Sequence, residues 1–224
     1  MPTVLITGSS RGLGLEFACQ FQKLGWEVIA TCRYPAHASE LSALAGVEVQ
    51  ALDVADHDSV VALKETMGQR PIDVLLNNAG ILGQLGTVSQ IDHRSWHNAM
   101  NTNVFGPFRV VQALAANVAA SNRKQMVFIS SSAGSIAAAQ PNNYVYRSSK
   151  AALNMAARCL SLEVAEHGLT VNLLCPGSVS TDMTSQGGRH SPRDSVAGMI
   201  RQILSFTSSD NGRFVTHEGN NVPW

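Results

Sequence analysis

The first 25 residues constrain the fold of this chain more than any other segment, because they read as a strand, a glycine-rich turn and a helix without interruption. The opening run Thr3-Val4-Leu5-Ile6 is typical of a buried strand. Apolar residues then recur at helical spacing between positions 15 and 24, and Gly25 follows as a helix stop. A strand that turns directly into a helix favours a parallel sheet covered by helices.

The turn itself has the sequence Thr7-Gly8-Ser9-Ser10-Arg11-Gly12-Leu13-Gly14. Glycines let the backbone turn tightly and leave room for a phosphate, while the N–H groups at the start of the helix face a pyrophosphate. Their spacing, Gly-x-x-x-Gly-x-Gly, differs from the commoner Gly-x-Gly-x-x-Gly fingerprint. We therefore expect a dinucleotide to bind at Gly8, Ser10, Arg11, Gly12, Leu13 and Gly14.

Strand-like runs recur through the rest of the chain, with helical periodicity between them. They cover residues 27–32, 47–52, 73–76, 125–129, 170–174 and 213–215. With the first strand they predict an α/β protein: a doubly wound, seven-stranded parallel sheet with helices on both faces. No internal repeat, low-complexity segment or linker interrupts the pattern. We expect residues 1–224 to form one Rossmann domain that carries both the cofactor site and the catalytic site.

Polar or glycine-containing segments stand where several of these strands end. They are Asp53-Val54, Asn77-Asn78-Ala79-Gly80, Ser130-Ser131-Ser132 and Pro176-Gly177. In a parallel α/β sheet the ligand lies beyond the carboxyl ends of the strands, so these segments are expected on one rim. Such a cluster is hard to explain as core structure.

Composition excludes several function classes. The formal net charge is zero and 14% of the residues are charged, so neither nucleic acid nor an anionic membrane is an expected partner. No apolar run is long enough to cross a bilayer and none precedes the first strand, which predicts a cytoplasmic protein. The four cysteines have no Cys-x-x-Cys spacing and are expected to be buried, reduced thiols. The seven histidines show no metal-ligand spacing, so no metal is expected.

The second strand ends in Thr31-Cys32-Arg33. In sites that prefer NAD, an acidic residue at this place binds the ribose 2′-hydroxyl. Arg33 and Arg11 would instead hold a 2′-phosphate through charge-assisted hydrogen bonds, although either arginine alone would pass for an exposed surface charge. The sequence therefore favours NADP(H) over NAD(H).

Tyr146 and Lys150 are four residues apart in a helical stretch, so their side chains share one face. An adjacent ammonium favours the phenolate, and we expect it to lower the pKa of Tyr146 from about 10 towards neutrality. The pair is then an acid/base candidate. Alone, the spacing is weak evidence, since it also occurs on solvated helix faces.

Taken in order, these motifs resemble the short-chain dehydrogenase/reductase family over essentially the whole chain. The resemblance rests on Thr7-Gly8-x-x-x-Gly12-x-Gly14, Asp53, Asn77-Asn78-Ala79-Gly80, Asn103, Ser131, Tyr146-x-x-x-Lys150 and Pro176-Gly177. Residues 102–103, 179–183 and 221–224 are similar to the carbonyl-reductase-like branch, which includes the Sniffer and C-factor proteins. The resemblance implies an NADP-dependent oxidoreductase that reversibly reduces a ketone or aldehyde to an alcohol. It also allows a cofactor-binding signalling or regulatory protein of the C-factor type with little turnover.

The resemblance also implies residue roles. Tyr146 would be the general acid/base, Lys150 would lower its pKa and hold the nicotinamide ribose, Ser131 would polarise the substrate carbonyl, and Asn103 would anchor a water in a proton relay. Ser130 and Ser132 compete with Ser131, Asn101 with Asn103, and Tyr144 with Tyr146. Further cofactor contacts are expected at Arg33, Asp53, Val54, Asn78, Ala79, Gly80, Tyr146, Lys150, Pro176, Gly177, Val179 and Thr181.

Two further features concern the substrate and assembly. Residues 184–192 form a short polar loop that is expected to be mobile and to close over a small-molecule carbonyl or alcohol, with Met183 and Tyr144 as pocket walls. The helix after Tyr146 has a second apolar stripe of Ala152, Met155, Cys159 and Leu162. Since one stripe suffices for the core, the second predicts burial against another subunit or against a neighbouring helix near residues 110–114. We favour a homo-oligomer, a dimer or tetramer.

Overall fold

The computed structural model describes residues 1–184 and 187–224. Seven parallel strands form one sheet in the order β3-β2-β1-β4-β5-β6-β7. Their bounds are β1 Thr3–Ile6, β2 Glu27–Cys32, β3 Val47–Ala51, β4 Val74–Asn77, β5 Gln125–Ile129, β6 Thr170–Cys175 and β7 Phe214–Thr216. The predicted doubly wound parallel sheet is confirmed, and no strand end differs from its predicted position by more than one residue.

Helices cover both faces of the sheet. They are α1 Gly12–Lys23, α2 Ser39–Ser42, α3 His57–Met67, α4 His93–Met100, α5 Gly106–Ala119, α6 Tyr144–Glu163 and α7 Pro192–Ser205. Alternate residues of β1 face opposite layers: Val4 and Ile6 pack with α1 and α7, whereas Leu5 packs with α3, α5 and α6. Both faces of the inner strands are buried, which explains why these strands read as continuous apolar runs.

The strand order reverses at β1. The chain moves from β1 outward to β3, then crosses back to place β4 on the other side of β1. Helices after β1 and β4 therefore diverge to opposite faces and leave a crevice at the carboxyl ends of these two strands. The predicted polar strand ends all belong to this edge of the sheet.

The sequence predicts that the second apolar stripe of α6 is buried against another subunit or a neighbouring helix, and the structure rules out the neighbouring helix. Leu153 and Ala157 are buried in the core, but Met155 and Leu162 are 64% and 65% exposed and Cys159 is also exposed. Burial of this stripe against the helix near residues 110–114 is therefore wrong, because the fully buried α6 side chains that share a core cluster with Val110 and Leu114 are Leu153 and Ala157. Only Ala152 of the stripe reaches the core.

The exposure of Cys159 also corrects the expectation that all four cysteines are buried. Cys32 and Cys175 are buried and Cys19 is half-buried, and all four are free thiols. Apolar neighbours in sequence misled the prediction, because an exposed helix face can be apolar. Within residues 1–184 and 187–224, no helix combines the length and apolar character needed to cross a membrane.

Candidate active site

The glycine turn after β1 is packed too tightly for side chains. Gly8 has a φ of +71°, and a Cβ there would lie 2.9 Å from the Cα of Ala79. A Cβ on Gly14 would lie 2.2 Å from the carbonyl oxygen of Gly8. The first turn of α1, which begins at Gly12, carries no acidic side chain. Free N–H groups at a helix start without an acidic neighbour suit an anion.

Asn78 and Thr7 fasten this turn to the end of β4. The Thr7 hydroxyl accepts hydrogen bonds from the backbone N–H groups of Asn78 and Ala79, both at 3.0 Å. The Asn78 side-chain Nδ2 donates to the carbonyl oxygens of Thr7 and Gly8 at 2.9 and 3.1 Å. The amide donor of Asn78 is thus used to shape the turn.

A cavity of about 750 Å³ runs along the carboxyl edge of the sheet. It is lined by most of the predicted site residues: Gly8, Ser10, Arg11, Gly12, Leu13, Gly14, Arg33, Asp53, Val54, Asn78, Ala79, Gly80, Tyr146, Lys150, Pro176 and Thr181. Met183, a predicted pocket wall, also lines it. Ser185 and Gln186, which belong to the predicted substrate-side loop, lie outside the described residues.

Sequence reasoning missed part of the lining. These residues are Cys32, Leu52, Ala55, Ile81, Leu82, Asn98, Asn101, Thr102, Ile129, Ser130 and Asp182. Seven of these eleven residues directly adjoin a predicted residue, so extending each motif by one position would have found those seven. Asn98 ends no strand and lies on α4, and the sequence gives no signal for it.

Four predicted site residues do not line the cavity: Ser131, Asn103, Gly177 and Val179. Gly177 has a φ of +78°, and a Cβ there would lie 3.1 Å from the ring of His190 and 3.2 Å from that of His217. Val179 is buried and pairs with His190 in a short β-bridge. Gly177 and Val179 therefore contribute to the packing of the segment after β6 and not to the cavity wall.

Arg33 and Asp53, which follow β2 and β3, stand at one end of the cavity, and Arg11 lines it from the turn after β1. Arg33, directly after β2, lies over the ring of Tyr34 at 5.9 Å. Arg11 forms an exposed ion pair with Asp182 at 3.6 Å. The carboxylate of Asp53 accepts a hydrogen bond from the backbone N–H of Ala55 at 2.9 Å, which shapes the turn after β3.

At the other end, the start of α6 meets the end of β5. The side chain of Ser131 lies close enough to the Tyr146 hydroxyl to stabilise its phenolate. Lys150, on the next turn of α6, donates from Nζ to the carbonyl oxygen of Ile129 at 2.9 Å, and Nζ lies 5.8 Å from the centre of the Tyr146 ring. The structure thus brings Tyr146, Ser131 and Lys150 together.

The competing residues have other partners. The Ser130 hydroxyl donates to Oδ1 of Asn154, and Ser132 is exposed. The side chain of Asn101 donates to the carbonyl oxygen of Ala55. Tyr144 is 40% exposed at the first position of α6.

Asn103 is completely buried in a π-helical turn, Asn101–Phe105, between α4 and α5. Its Oδ1 accepts from the backbone N–H of Ile81 at 2.8 Å, and its Nδ2 donates to the carbonyl oxygen of Ile81 and to the Ser149 hydroxyl, both at 2.9 Å. A Cβ on Gly80 would lie 3.3 Å from Asn103 Oδ1 and 3.7 Å from Lys150 Nζ. The absent side chain of Gly80 keeps this corner open.

Burial governs the titration of the pair. It raises the pKa of Tyr146 to about 12, although the hydrogen bond from Ser131 favours the phenolate. Burial also lowers the pKa of Lys150 to about 8. The expected fall of the Tyr146 pKa towards neutrality is therefore wrong for the protein alone. A phenolate here would lose its hydration, and the equally buried ammonium is itself disfavoured.

A model of the short chain dehydrogenase family matches residues 2–191. The chain is a short-chain dehydrogenase/reductase. It is 37% identical to C-signal of Myxococcus xanthus over 155 residues, which cover 69% of this chain and 93% of that protein.

Solved structures of carbonyl reductases resemble this member of the family over its whole length. The carbonyl reductase Sniffer of D. melanogaster is 28% identical, with a TM-score of 0.92 and 100% of both chains covered. A carbonyl reductase from Pseudomonas aeruginosa PAO1 in complex with NADP is 33% identical, with a TM-score of 0.89 and 100% of both chains covered. The predicted family and its carbonyl-reductase-like branch are confirmed.

The cavity of this dehydrogenase/reductase fits a nicotinamide dinucleotide. At Gly8 and Gly14, only glycine leaves the turn intact beside an anion-accepting helix start. The cavity extends from Arg33 to Tyr146, which gives an elongated ligand a cationic end and a phenolic end. Among the described residues, no three His, Cys, Asp or Glu side chains are placed to hold a metal ion.

Proposed function

We propose that this oxidoreductase catalyses the reversible, NADP-dependent reduction of a ketone or aldehyde to an alcohol. One observation carries the proposal: Tyr146, next to Ser131 and Lys150, lines a cavity that fits the dinucleotide. When bound, the coenzyme supplies the hydride. The protein contributes placement, a proton and a polar environment.

Tyr146 acts as the proton donor to the carbonyl oxygen. With a pKa raised to about 12, its phenol keeps the proton at neutral pH, which suits reduction. Ser131 donates a hydrogen bond to the same oxygen and polarises the carbonyl. Lys150 holds the nicotinamide ribose and supplies a cation beside the phenol, and Asn103 keeps the adjoining turns in place for a water-mediated proton relay.

The other predicted contacts bind the coenzyme. The glycine turn with Ser10 and Leu13 holds the pyrophosphate through backbone N–H groups. Arg11 and Arg33 hold the 2′-phosphate, Asp53 and Val54 the adenine, and Asn78, Ala79 and Gly80 the adjoining ribose. Pro176 and Thr181 cover the nicotinamide, and Gly177 and Val179 support that segment.

Side chains around the substrate end carry little charge. Residues 81–91 and 131–145 contain no Asp, Glu, Lys or Arg, and residues 176–188 contain only Asp182, which pairs with Arg11. The exposed side chains there include Leu85, Ile136, Tyr144 and Met183. This lining supports a neutral carbonyl compound over a carboxylated or phosphorylated one, because these three segments contain no Lys or Arg that could pair with an anion.

The identity to C-signal supports a second candidate, a cofactor-binding signalling protein with little turnover. The two candidates differ in what they require of Tyr146. A proton donor is needed for reduction, whereas coenzyme binding does not depend on the phenolic proton.

Tyr146→Phe should lower kcat for carbonyl reduction at least about 100-fold, the usual contribution of a positioned general acid. NADPH oxidation would be followed by absorbance against neutral ketones, aldehydes and quinones and against carboxylated counterparts. Tyr34→Phe, a change at an exposed tyrosine, is the matched control and should keep wild-type turnover. Tight NADPH binding without turnover by the wild-type protein on any compound would favour the signalling candidate.

Arg33→Asp should weaken NADPH binding by about 10-fold or more and leave NADH binding within about threefold, because only NADPH carries the 2′-phosphate that a guanidinium would hold. Fluorescence titration with both nucleotides measures the two affinities. Arg94→Asp, a change in an exposed arginine of α4, controls for overall charge. An equal loss for both nucleotides would contradict the assignment of Arg33.

Alkaline pH should slow the reaction through Lys150. Its pKa is lowered to about 8, so the cation is present below that pH and lost above it. We expect kcat/KM for NADPH, which reports the free enzyme, to fall as pH rises through about 8. In Lys150→Arg, which stays charged, the lower residual activity should lose this alkaline decline. A flat wild-type profile up to about pH 10 would contradict the role.

The exposed apolar face of α6 supports a homo-oligomer, because Met155 and Leu162 would be shielded from water in an interface between subunits. Replacing both by lysine should convert the protein to a monomer, as measured by size exclusion with light scattering at micromolar concentration. Leu24→Lys, at a 54% exposed leucine beyond α1, is the control and should not change the assembly. A monomeric wild-type protein would refute the proposal.

A further inference from the structure

A buried polar pair lies directly behind the Tyr146–Ser131 contact. The Ser130 hydroxyl donates to Oδ1 of Asn154, and Nδ2 of Asn154 donates to the carbonyl oxygen of Gly134 at 3.2 Å. Ser130 is 2% exposed and Asn154 is 3% exposed. Asn154 stands one helical turn beyond Lys150 on α6, on the same face. The carboxamide of Asn154 therefore binds residues 130–134 at two places: its oxygen accepts from Ser130, and its nitrogen donates to Gly134.

Those two points bracket the turn that carries Ser131. The hydroxyl of Ser131 begins this 3-10 turn by accepting the backbone N–H of Ala133 at 3.1 Å. At its far end, a Cβ on Gly134 would lie 2.7 Å from the backbone carbon of Lys150, so the turn packs directly on α6. Asn154 thus ties both ends of the turn to the helix that carries Tyr146 and Lys150.

We propose that Asn154 is a positioning residue that fixes the Ser131 hydroxyl relative to the Tyr146 phenol, an inference that rests on the proposed carbonyl reduction. Loss of its carboxamide leaves the buried Ser130 hydroxyl and the Gly134 carbonyl without this partner, and the turn shifts to recover hydrogen bonds. A displacement of about 1 Å between groups that act on one oxygen is enough to slow catalysis strongly.

The first test reads the Tyr146–Ser131 contact without turnover. The chain has three tyrosines, so ¹³Cζ-tyrosine labelling gives three signals, and Tyr146→Phe identifies the one of interest. Ser131→Ala shows how that signal moves when the Ser131 hydroxyl is removed. Asn154→Ala should move it in the same direction. An unmoved Tyr146 signal in a folded Asn154→Ala protein would overturn the proposal.

Two further variants keep this test decisive. Asn154→Leu, which fills the volume of the carboxamide but forms no hydrogen bond, should shift the signal like Asn154→Ala and replaces it if the alanine variant does not fold. Asn117→Ala is the matched control. Asn117 is also buried, and its Nδ2 donates to the carbonyl oxygens of Gly68 and Arg70 at 3.0 and 2.9 Å, far along the sheet from Tyr146. This control should lower stability and leave the Tyr146 signal and kcat unchanged.

The second test separates positioning from general destabilisation. Asn154→Ala should lower kcat about 10-fold or more and change KM for NADPH less than about threefold, because the coenzyme contacts stay. If Asn154 acts through Ser131, adding Asn154→Ala to Ser131→Ala should lower kcat by less than about twofold further. A full, additive loss in the double variant would overturn the proposal. If the wild-type protein reduces no carbonyl, the proposed function fails, and the tyrosine signal alone then decides the role of Asn154.

Discussion

The architecture of the site depends on the close approach of two backbones at the centre of the sheet. The turn after β1 lies so near the end of β4 that a Cβ on Gly8 would touch the backbone of Ala79. Thr7 and Asn78 hold the two segments in that position through four hydrogen bonds. The start of α1, the cavity floor and the position of Gly80 all follow from this contact. Because glycine alone fits, the contact is also what makes the glycine spacing visible in the sequence.

Burial has the same importance at the opposite end of the cavity. Tyr146 and Lys150 are placed four residues apart by the helix, but their chemistry is set by the removal of water. With the pKa of the phenol raised to about 12 and that of the ammonium lowered to about 8, both groups favour their neutral forms relative to free side chains. Helical spacing therefore gives the neighbours, whereas the direction of each pKa shift depends on solvent exclusion by β5 and β6.

The sequence predicts the features of this protein that depend on local spacing better than those that depend on contacts between distant elements. The apolar runs predict the bounds of β1, β2 and β5 as the structure has them, whereas the predicted bounds of β4 and β6, which are also buried, are off by one residue. Glycine spacing and strand-end polarity are local sequence patterns, and they predict most of the cavity lining. The packing of Gly177 against His190 and His217, and the solvent-facing apolar side of α6, depend on which elements meet in space. No local pattern encodes those meetings, and the same holds for the partners of Asn154.

The ion pair between Arg11 and Asp182 bears on how the coenzyme enters and leaves. It joins the glycine turn to the segment after β6 across the cavity, and a Cβ on Gly12 would reach Thr181 at 3.9 Å at the same crossing. Both charged side chains are largely exposed, so a pair of this kind contributes only about 0–1 kcal/mol. The free-energy barrier that this ion pair adds to coenzyme entry and release would therefore be small, and it would decrease further as ionic strength rises. The rate at which a bound dinucleotide dissociates then depends on its contacts along the cavity, and the exposed Arg11–Asp182 pair has little effect on that rate.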